Sequence, residues 1–348
     1  MSIKIAMIGA GNVVGLKHRE AYEKLAGRVE VFAIADPSAA ARDKLGEKFG
    51  VPPARRVARL EELAEFRDEV RLAVVATPLQ FHSEGVLFAA SMGWDVLCEK
   101  PPAIRIEELD SMLDATESAG VRFGVMHNYH FMHIAGDCQS AVHRGEIGDV
   151  RMVRCEFQGG SYARGSSYIH YADKERDGAG HFLGCLYHEI YLMLDAVGAP
   201  AERIYADVGN LVPQQINVED TLACQIRFAN GALGLFQDVM INDGEGTTLF
   251  EYYGTRGSLL RNPPFHPPTW LYRDGKRVEL PPDSAITDHG TYGVMRDFAS
   301  AIEQGKPLPA RISAAHAGRE TLRVVLAAYE SGRTGNPVDL RTWNVRKR

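Results

Sequence analysis

The sequence lacks the features that mark secreted and membrane-spanning proteins. It has five cysteines among 348 residues, and none of them stands in a C-x-x-C pair. Scattered cysteines favour reduced thiols over a disulfide framework. No apolar run approaches the roughly 18 residues that would suggest a membrane span, and the N-terminus has no basic segment followed by a long apolar one. We therefore predict a cytoplasmic protein with no membrane partner.

The sequence also lacks an excess of charge of one sign. Lysine and arginine total 39, aspartate and glutamate total 45, and the net charge is −6. A mildly negative chain is not typical of proteins that bind nucleic acid. The length is sufficient for about two domains with a large core, and a hydrophobic content of 45% is ordinary for a globular protein. We predict a two-domain globular protein with no nucleic-acid partner.

The strongest local signal lies at the start of the chain. An apolar run, Ile3 to Ile8, is followed by Gly9-Ala10-Gly11 and then by a helical pattern. In such a strand–turn–helix, G-x-G is typical of dinucleotide binding, because the first glycine permits a tight turn and the second lets the backbone approach a pyrophosphate. Free N–H groups at the helix start would bind the phosphates. We predict cofactor contacts from Gly9, Gly11, Asn12 and Val13; the alternative is an ordinary strand–helix turn.

The third position of this fingerprint is not glycine. Val14 stands there, and Gly15 follows one residue late. Because the third glycine serves close packing of the helix on the strand, we expect Gly15 to take that role.

The second strand-like run, Val29 to Ala35, ends at an acid, Asp36. Asp36 follows the glycines at close to the roughly 20-residue spacing of the carboxylate that binds a ribose 2′-hydroxyl. A carboxylate there would repel a 2′-phosphate, so the sequence favours NAD over NADP. The alternative is that Asp36 caps the helix that follows Pro37 and Ser38.

The order of strand-like and helical runs predicts the fold class. The two alternate as far as residue 126, which predicts right-handed βαβ units and an α/β domain with a doubly wound parallel sheet. Several alternating strands follow, with Asn230-Gly231 as a hairpin turn. We predict two domains, residues 1–126 and 127–348, the second an α+β domain with an open, largely antiparallel sheet. The C-terminal helices could pack back on the first domain.

Several motifs resemble those of the Gfo/Idh/MocA oxidoreductase family. They are Ala76-Thr77-Pro78-x-x-x-His82, Gly93-x-x-Val96-Leu97-Cys98-Glu99-Lys100-Pro101, Gly145-x-Ile147-Gly148 and Gly254-Thr255-x-Gly257-Ser258. The resemblance covers essentially the whole chain, and Glu-Lys-Pro is its most distinctive part. It implies a Rossmann domain, a substrate-binding and oligomerisation domain, and NAD(P)-dependent redox chemistry on a sugar, cyclitol or related hydroxyl compound. It also implies a homodimer or homotetramer formed through the C-terminal sheet.

The motifs fall at strand ends, where the ligand of an open α/β sheet lies. Together with the resemblance, this position implies further cofactor contacts from Thr77, Pro78, His82, Glu99, Lys100 and Asn128. Asn128 stands in a segment where the family commonly has Asn-Tyr-Arg, and here His130 replaces the arginine.

Lys100 is the first predicted catalytic residue. Beside the positively charged nicotinamide of NAD⁺, its ammonium form would be disfavoured by like charge and by desolvation. The amine could then take or share the proton of a substrate hydroxyl while hydride leaves the same carbon. The alternative is a surface lysine that pairs with Glu99.

His188 is the second predicted catalytic residue, and it rests on the resemblance. The family usually has D-x-x-x-H-x-x-D at the start of a helix, and here Gly184 and Tyr191 stand where the two aspartates would be. This chain therefore lacks the aspartate that a Lys–Asp–His proton relay would need. Either Lys100 and His188 suffice, or a tyrosine or histidine fills the space over Gly184. The predicted substrate-binding residues are Lys100, Asn128, Tyr162, Arg164, Tyr168, His181, Tyr187 and His188.

Three histidines, His127, His130 and His133, follow one another at three-residue steps and raise the question of zinc. No cysteine or carboxylate nearby completes a ligand set, so we predict no metal.

Two alternative functions fit the same scaffold. One is a redox-cycling glycosidase, which oxidises a glycoside with tightly held NAD, eliminates the aglycone and re-reduces the sugar. The other is an NAD-binding sensor without catalysis, against which the presence of both Lys100 and His188 argues.

Overall fold

The computed structural model describes residues 2–133, 135–160, 180–184, 187–211, 217–242, 247–261, 269–281, 286–287 and 289–344. The chain divides into two compact units. The first unit contains Met1–Asn128 and His289–Arg319, and the second contains Tyr129–Asp288 and Glu320–Arg348. The first unit thus takes in a C-terminal segment as well as the N-terminal one.

The first unit is built on a six-stranded parallel sheet in the order β3-β2-β1-β4-β5-β6. Its strands are β1 (Ile3–Ile8), β2 (Val29–Ala35), β3 (Arg56–Val57), β4 (Leu72–Val75), β5 (Asp95–Cys98) and β6 (Phe123–Val125). Every residue of β4 and β5 is buried, as expected for parallel strands that are covered on both faces. The strand order reverses between β1 and β4, and this reversal is the switch point at which such sheets bind ligands.

The helices of the first unit follow the strands as the alternating pattern predicts. They are α1 (Arg19–Lys24), preceded by a π-helical turn at Val14–His18, α2 (Ala39–Phe49), α3 (His82–Ser91), α4 (Ile106–Ser118) and α8 (Thr291–Gln304). Shorter turns are the 3-10 helices Pro53–Arg55, Leu60–Phe66, Leu79–Phe81 and Ala310–Ile312 and the π-helical Ala314–Gly318. A further 3-10 turn, Asn128–Phe131, begins at the last residue of this N-terminal stretch and continues into the second unit. Ser38 caps α2 by accepting from the backbone N–H of Ala41 at 3.3 Å.

A C-terminal segment of the chain belongs to the first unit through α8. Arg28, at the start of the second strand, donates to Ser300 Oγ at 3.0 Å and pairs with Glu303 Oε2 at 2.7 Å. Both partners lie on α8, so an ion pair and a hydrogen bond tie this late helix to the N-terminal strands.

The second unit is built on a nine-stranded sheet in the order β14-β13-β12-β11-β7-β10-β9-β8-β15. Among the described strand pairs of this sheet, only β7 and β10, at its centre, are parallel to each other. The strands are β7 (Val150–Gly160), β8 (Ala201–Gly209), β9 (Thr221–Phe228), β10 (Leu233–Asn242), β11 (Thr247–Gly254), β12 (Ser258–Arg261), β13 (Thr269–Arg273), β14 (Lys276–Leu280) and β15 (Val338–Asp339). The predicted fold class, a parallel α/β domain followed by a largely antiparallel α+β domain, is confirmed.

The hairpin of β13 and β14 was not predicted from the sequence. It turns at Asp274-Gly275, and both residues have positive φ, 52° and 69°, as a two-residue hairpin turn requires. Four of the five residues of β14 are exposed, so this strand carries too little apolar alternation to be recognised.

Four helices complete the described part of the second unit. They are α5 (Gly136–His143), α6 (His181–Gly184), α7 (Tyr187–Val197) and α9 (Arg319–Thr334), the last of which begins at the boundary of the first unit. Nine of the eleven residues of α7 are buried. No helix among the described residues is both long enough and apolar enough to cross a membrane.

Candidate cofactor and catalytic residues

The end of β1 lies in close contact with the end of β4. Gly9 has φ +100°, and a Cβ there would stand 2.6 Å from the carbonyl oxygen of Ala76. Only glycine can adopt this conformation without strain and also fit this contact. The two strands on either side of the switch point therefore approach each other through a glycine backbone.

The start of the following helix offers space and donors to an anion. Gly11, Asn12 and Val13 are exposed, and a Cβ on Gly11 would meet no atom within 4 Å. The π-helical turn begins directly afterwards, with no side-chain cap among the described residues. First-turn N–H groups lack intrahelical acceptors, so these residues fit the pyrophosphate of a dinucleotide.

The expected packing role of Gly15 is wrong. A Cβ on Gly15 would meet no atom within 4 Å, so the backbone makes no close contact there. Val14 is fully buried instead.

Asp36 is held by backbone donors at the end of β2. Its Oδ2 accepts the N–H of Ala10 and its Oδ1 that of Ser38, both at 2.8 Å. A carboxylate has about four acceptor positions, so two of them are left for ribose hydroxyls. This geometry fits the predicted cofactor contact, and the helix cap of α2 is Ser38 rather than Asp36.

His82 and Thr77 lie where β4 and β5 end. The imidazole of His82 is buried between two carbonyl oxygens, with Nδ1 2.9 Å from Pro101 O and Nε2 3.0 Å from Thr77 O. It therefore joins the ends of the two strands. Thr77 Oγ1 is buried and has no hydrogen-bond partner in the described part of the chain. The Thr77 hydroxyl lies at the switch point, so it is suited to form a hydrogen bond with a bound cofactor.

Glu99 forms a short buried contact with the helix that follows β1. Its Oε1 lies 2.6 Å from Nε2 of His18, and its Oε2 accepts the backbone N–H of Lys100 at 3.2 Å. Burial acts to raise the pKa of this carboxyl, but the hydrogen bond from His18 and the positive charges of His18, Lys100 and Lys17 lower it to about 2. Glu99 is therefore ionised at neutral pH, and it sets the position of the backbone at Lys100.

Lys100 and Asn128 are placed by strand ends of the first unit. Lys100 is half-buried, two residues after the end of β5. Asn128 is buried, and its Nδ2 donates to the carbonyl oxygen of His289 at 2.7 Å. A contact from Asn128 to a cofactor or substrate would therefore use Oδ1 or the second N–H of Nδ2.

His188 lies near the start of α7, where it stacks on an aromatic ring. The imidazole and the ring of Tyr129 are parallel, with centroids 3.8 Å apart and an angle of 4° between the planes. Its Nδ1 lies 2.9 Å from the hydroxyl of Tyr191, one helical turn away. That hydroxyl also accepts the backbone N–H of Tyr129 at 2.9 Å. Sequence reasoning missed Tyr129 as a partner of His188.

His181 and Tyr187 are fully buried in the second unit. Nε2 of His181 lies 3.6 Å from Oδ2 of Asp238, on β10. Burial, followed by the nearby carboxylates Glu189 and Glu219, raises the pKa of Asp238 well above its ordinary value. Asp238 was not predicted, although the alternation of β10 places it on the buried face with Phe236 and Met240. The predicted residues Tyr162, Arg164 and Tyr168 lie outside the described residues.

The three histidines that were considered as zinc ligands do not share one helix face. His127 belongs to the first unit, where its Nδ1 lies 2.8 Å from the carbonyl oxygen of Arg311. His130 and His133 belong to the second unit. Among the residues that the structure describes, no group of three potential ligands is placed to hold a metal ion.

Comparison with known proteins identifies the family. The profile of the oxidoreductase family with an NAD-binding Rossmann fold matches residues 3–127, and that of the GFO/IDH/MocA C-terminal domain matches residues 137–260. The chain belongs to the Gfo/Idh/MocA family. The predicted resemblance is thus confirmed, and so are an oxidoreductase and an NAD cofactor bound by the Rossmann domain.

Individual relatives of this Gfo/Idh/MocA protein share its full length or most of it. The D-glucoside 3-dehydrogenase of Escherichia coli is 25% identical over 97% of each chain. The myo-inositol 2-dehydrogenase of Thermotoga maritima is 27% identical over 74% of each. A levoglucosan dehydrogenase solved with NADH and levoglucosan has the same fold, with a TM-score of 0.82 and 22% identity over 98% of this chain and 100% of that one.

The two glycines of the fingerprint should respond differently to alanine. Gly9→Ala places a Cβ against Ala76 O at a positive φ, so we expect the free energy of unfolding to fall by about 1–3 kcal/mol. Gly11→Ala meets no protein atom, so stability should hold while NAD affinity falls on the order of tenfold. Urea unfolding and NAD titration by calorimetry measure both. Unchanged NAD affinity in Gly11→Ala would remove Gly11 from the phosphate contact.

Acid should weaken the contribution of Glu99 to stability. Its pKa is lowered from 4.5 to about 2 on folding, so its stabilisation is present above pH 4.5 and is lost as the pH falls towards 2. We expect Glu99→Gln to be less stable than the wild type by up to about 3 kcal/mol at pH 7. The difference should shrink at pH 3, as measured by urea unfolding. A difference that is equal at both pH values would show that the charge of Glu99 does not stabilise the fold.

Proposed function

We propose that this protein is an NAD-dependent dehydrogenase or reductase that acts on a hydroxyl or carbonyl of a sugar, sugar derivative or cyclitol. The observation that carries the proposal is Lys100, half-buried directly after Glu99 at the end of β5 in a Gfo/Idh/MocA chain. The relative that matches 97% of the chain is a D-glucoside 3-dehydrogenase. Glucosides are therefore the first substrates to test.

Lys100 handles the proton of the reacting hydroxyl in this proposal. NAD, when bound, accepts or returns a hydride. A hydroxyl must give up its proton as hydride leaves its carbon, and a positioned amine can accept that proton. Glu99 fixes the backbone of Lys100 through the contact from Lys100 N to Oε2. The carboxylate of Glu99 is itself held by Nε2 of His18.

His188 is the second proton-handling residue of the proposal. Its ring is held in place by the stack on Tyr129 and by the hydroxyl of Tyr191. An imidazole can accept a proton at one nitrogen while the other keeps its hydrogen bond. His188 can thus help to deprotonate a hydroxyl or protonate a carbonyl without an aspartate at position 184. His181 and Tyr187 are buried around this part of the second unit and support its packing.

We also infer a homodimer or homotetramer formed through the sheet of the second unit. Tyr205, Tyr253 and Tyr272 are each more than a third exposed on β8, β11 and β13. Tyrosine is enriched in protein interfaces. Light scattering coupled to gel filtration gives the oligomer count.

The proposed reaction is tested by mixing the protein with NAD⁺ and a panel of methyl and aryl glucosides, free sugars and inositols. A steady rise of NADH absorbance with one class of compound is the expected result. Release of the aryl alcohol without net NADH would instead indicate the redox-cycling glycosidase, since a carbonyl acidifies the neighbouring C–H and permits elimination. Bound NAD with neither signal on any compound of the panel would contradict the proposed activity.

Lys100→Met should abolish turnover while NAD binding is kept. Methionine retains length and apolar contacts but has no proton to exchange, so kcat should fall on the order of 10²- to 10⁴-fold. The matched control is Lys276→Met, an exposed lysine on β14, which should leave kcat unchanged. Steady-state kinetics with the best compound of the panel, together with NAD titration, give the comparison. Wild-type turnover in Lys100→Met would refute the assignment of Lys100.

A further inference from the structure

His18 is a fully buried histidine on the π-helical turn that follows the glycine turn. Its Nε2 lies 2.6 Å from Oε1 of Glu99, and Oε2 of the same carboxylate accepts the backbone N–H of Lys100 at 3.2 Å. The side chain of Glu99 therefore connects the imidazole of His18 to the backbone of Lys100. His18 was not among the predicted site residues.

The hydrogen bond between His18 and Glu99 has a fixed direction. Burial acts against the charge of Glu99, but the hydrogen bond from His18 and the positive charges around the carboxyl lower its pKa to about 2. An ionised carboxylate offers only acceptor positions, so Nε2 of His18 must carry the hydrogen. Hydrogen bonds with an ionised partner are shorter and stronger than neutral ones, which suits this contact to hold a side chain in place. The titratable groups that interact with Glu99 are Lys17, His18, Tyr22, His82, Cys98 and Lys100.

The two neighbours of Lys100 in the chain are each held by a buried histidine. His18 holds the side chain of Glu99, and His82 has its Nδ1 2.9 Å from the carbonyl oxygen of Pro101. One histidine thus acts on the chain before Lys100 and the other on the chain after it. A displacement of the backbone at Lys100 would strain at least one of these contacts.

The turn that carries His18 is itself held by the late segment of the first unit. Thr291, the first residue of α8, is buried, and its Oγ1 donates to the carbonyl oxygen of Lys17 at 2.7 Å. Lys17 directly precedes His18, so this hydroxyl fixes the turn beside the imidazole. Single π-helical turns are frequent at functional sites, and here the turn gives His18 a fixed place from which to reach Glu99.

We propose that His18 is a positioning residue that acts through Glu99 to hold the backbone of Lys100 in place for proton transfer. The inference rests on the proposed function, in which Lys100 handles the proton of the reacting hydroxyl. Proton transfer requires the two groups to lie within hydrogen-bond reach of each other. A displaced lysine should therefore lower kcat more than it weakens binding.

Two amide variants that differ by one methylene test the proposal. The amide nitrogen of His18→Gln reaches about as far as Nε2 and can still donate to Glu99, whereas that of His18→Asn is one carbon too short. We expect kcat to fall about 10- to 100-fold in His18→Asn, because a small misplacement of a catalytic group has effects of this order. His18→Gln should keep most of kcat, and substrate KM and NAD affinity should change little in both. Equal kcat in the two variants would overturn the proposal, since kcat would then not depend on the contact with Glu99.

The matched control is Trp94→Phe, at the other end of β5. Trp94 is also buried, and its Nε1 donates to the carbonyl oxygen of Arg67 at 3.0 Å. This variant loses a buried ring N–H in the same unit, so it shows what a general loss of stability does to turnover. We expect its kcat to be unchanged. A fall of kcat as large as that in His18→Asn would mean that the effect is not specific to His18 and would refute the proposal.

A gentler substitution covers the case in which His18→Asn folds poorly. Thr291→Val keeps the shape of the side chain and leaves His18 in the sequence, but it removes the hydroxyl that holds the turn. It should lower kcat by a part of the loss expected for His18→Asn, and Thr291→Ser should restore it. The control is Thr116→Val, in which a buried hydroxyl that donates to Met112 O at 2.9 Å is lost from α4. Wild-type kcat in Thr291→Val would then overturn the proposal.

Urea unfolding separates the failure of this inference from the failure of the proposed function, because it needs no activity. Glu99→Gln should destabilise the wild type more than it destabilises His18→Asn, since residues in contact are not additive. Full additivity would refute the link between His18 and Glu99. Non-additive unfolding with wild-type kcat in His18→Asn would refute only the positioning of Lys100. Wild-type turnover in Lys100→Met would instead refute the proposed function, on which the positioning role depends.

Discussion

The charge of Glu99 is the constraint on which the arrangement of the strand ends depends. A carboxylate with 13% side-chain exposure costs free energy unless it is paired, and here it is compensated by His18 and by the backbone N–H of Lys100. His18 comes from the helix segment after β1, and Glu99 directly follows β5. One hydrogen bond therefore links the helix that follows the glycine turn at Gly9–Gly11 to the residue that precedes Lys100.

Ring stacking and hydrogen bonding hold His188 in the second unit. The stack of Tyr129 on His188 and the bond from Tyr191 supply those contacts. In the same unit the buried carboxyl of Asp238, beside His181, has its pKa raised.

Local sequence patterns were sufficient for most of the fold. Glycine spacing, buried strand runs and an acid at the end of a strand are each local signals, so the turn at Gly9–Gly11 after β1 and Asp36 after β2 could be located from the sequence. The role of Gly15 could not be predicted, because whether a glycine serves close packing depends on which neighbouring residue is buried, and here that residue is Val14.

Contacts between residues distant in sequence could not be predicted from such local patterns. The partnership of Tyr129 with His188 joins a 3-10 turn to a helix that follows 58 residues later in the numbering. Asp238, on β10, lies 3.6 Å from Nε2 of His181, which is on α6, a separate element of the second unit. The exposed hairpin of β13 and β14 was missed because its alternation is charged rather than apolar. The hydrophobic pattern of the sequence predicts the helices and strands, but it does not predict which side chains pair between them.

The most direct test of the account is the fate of the hydrogen on the oxidised carbon. The sugar, glycoside or cyclitol that reduces NAD⁺ fastest would be prepared with deuterium on that carbon, and the NADH formed would be analysed by mass spectrometry. Direct hydride transfer in the Rossmann domain predicts NADH with one deuterium on the nicotinamide ring and a slower turnover. NADH formed without deuterium would contradict the account, because the hydrogen would then have exchanged with solvent rather than passed from substrate to cofactor.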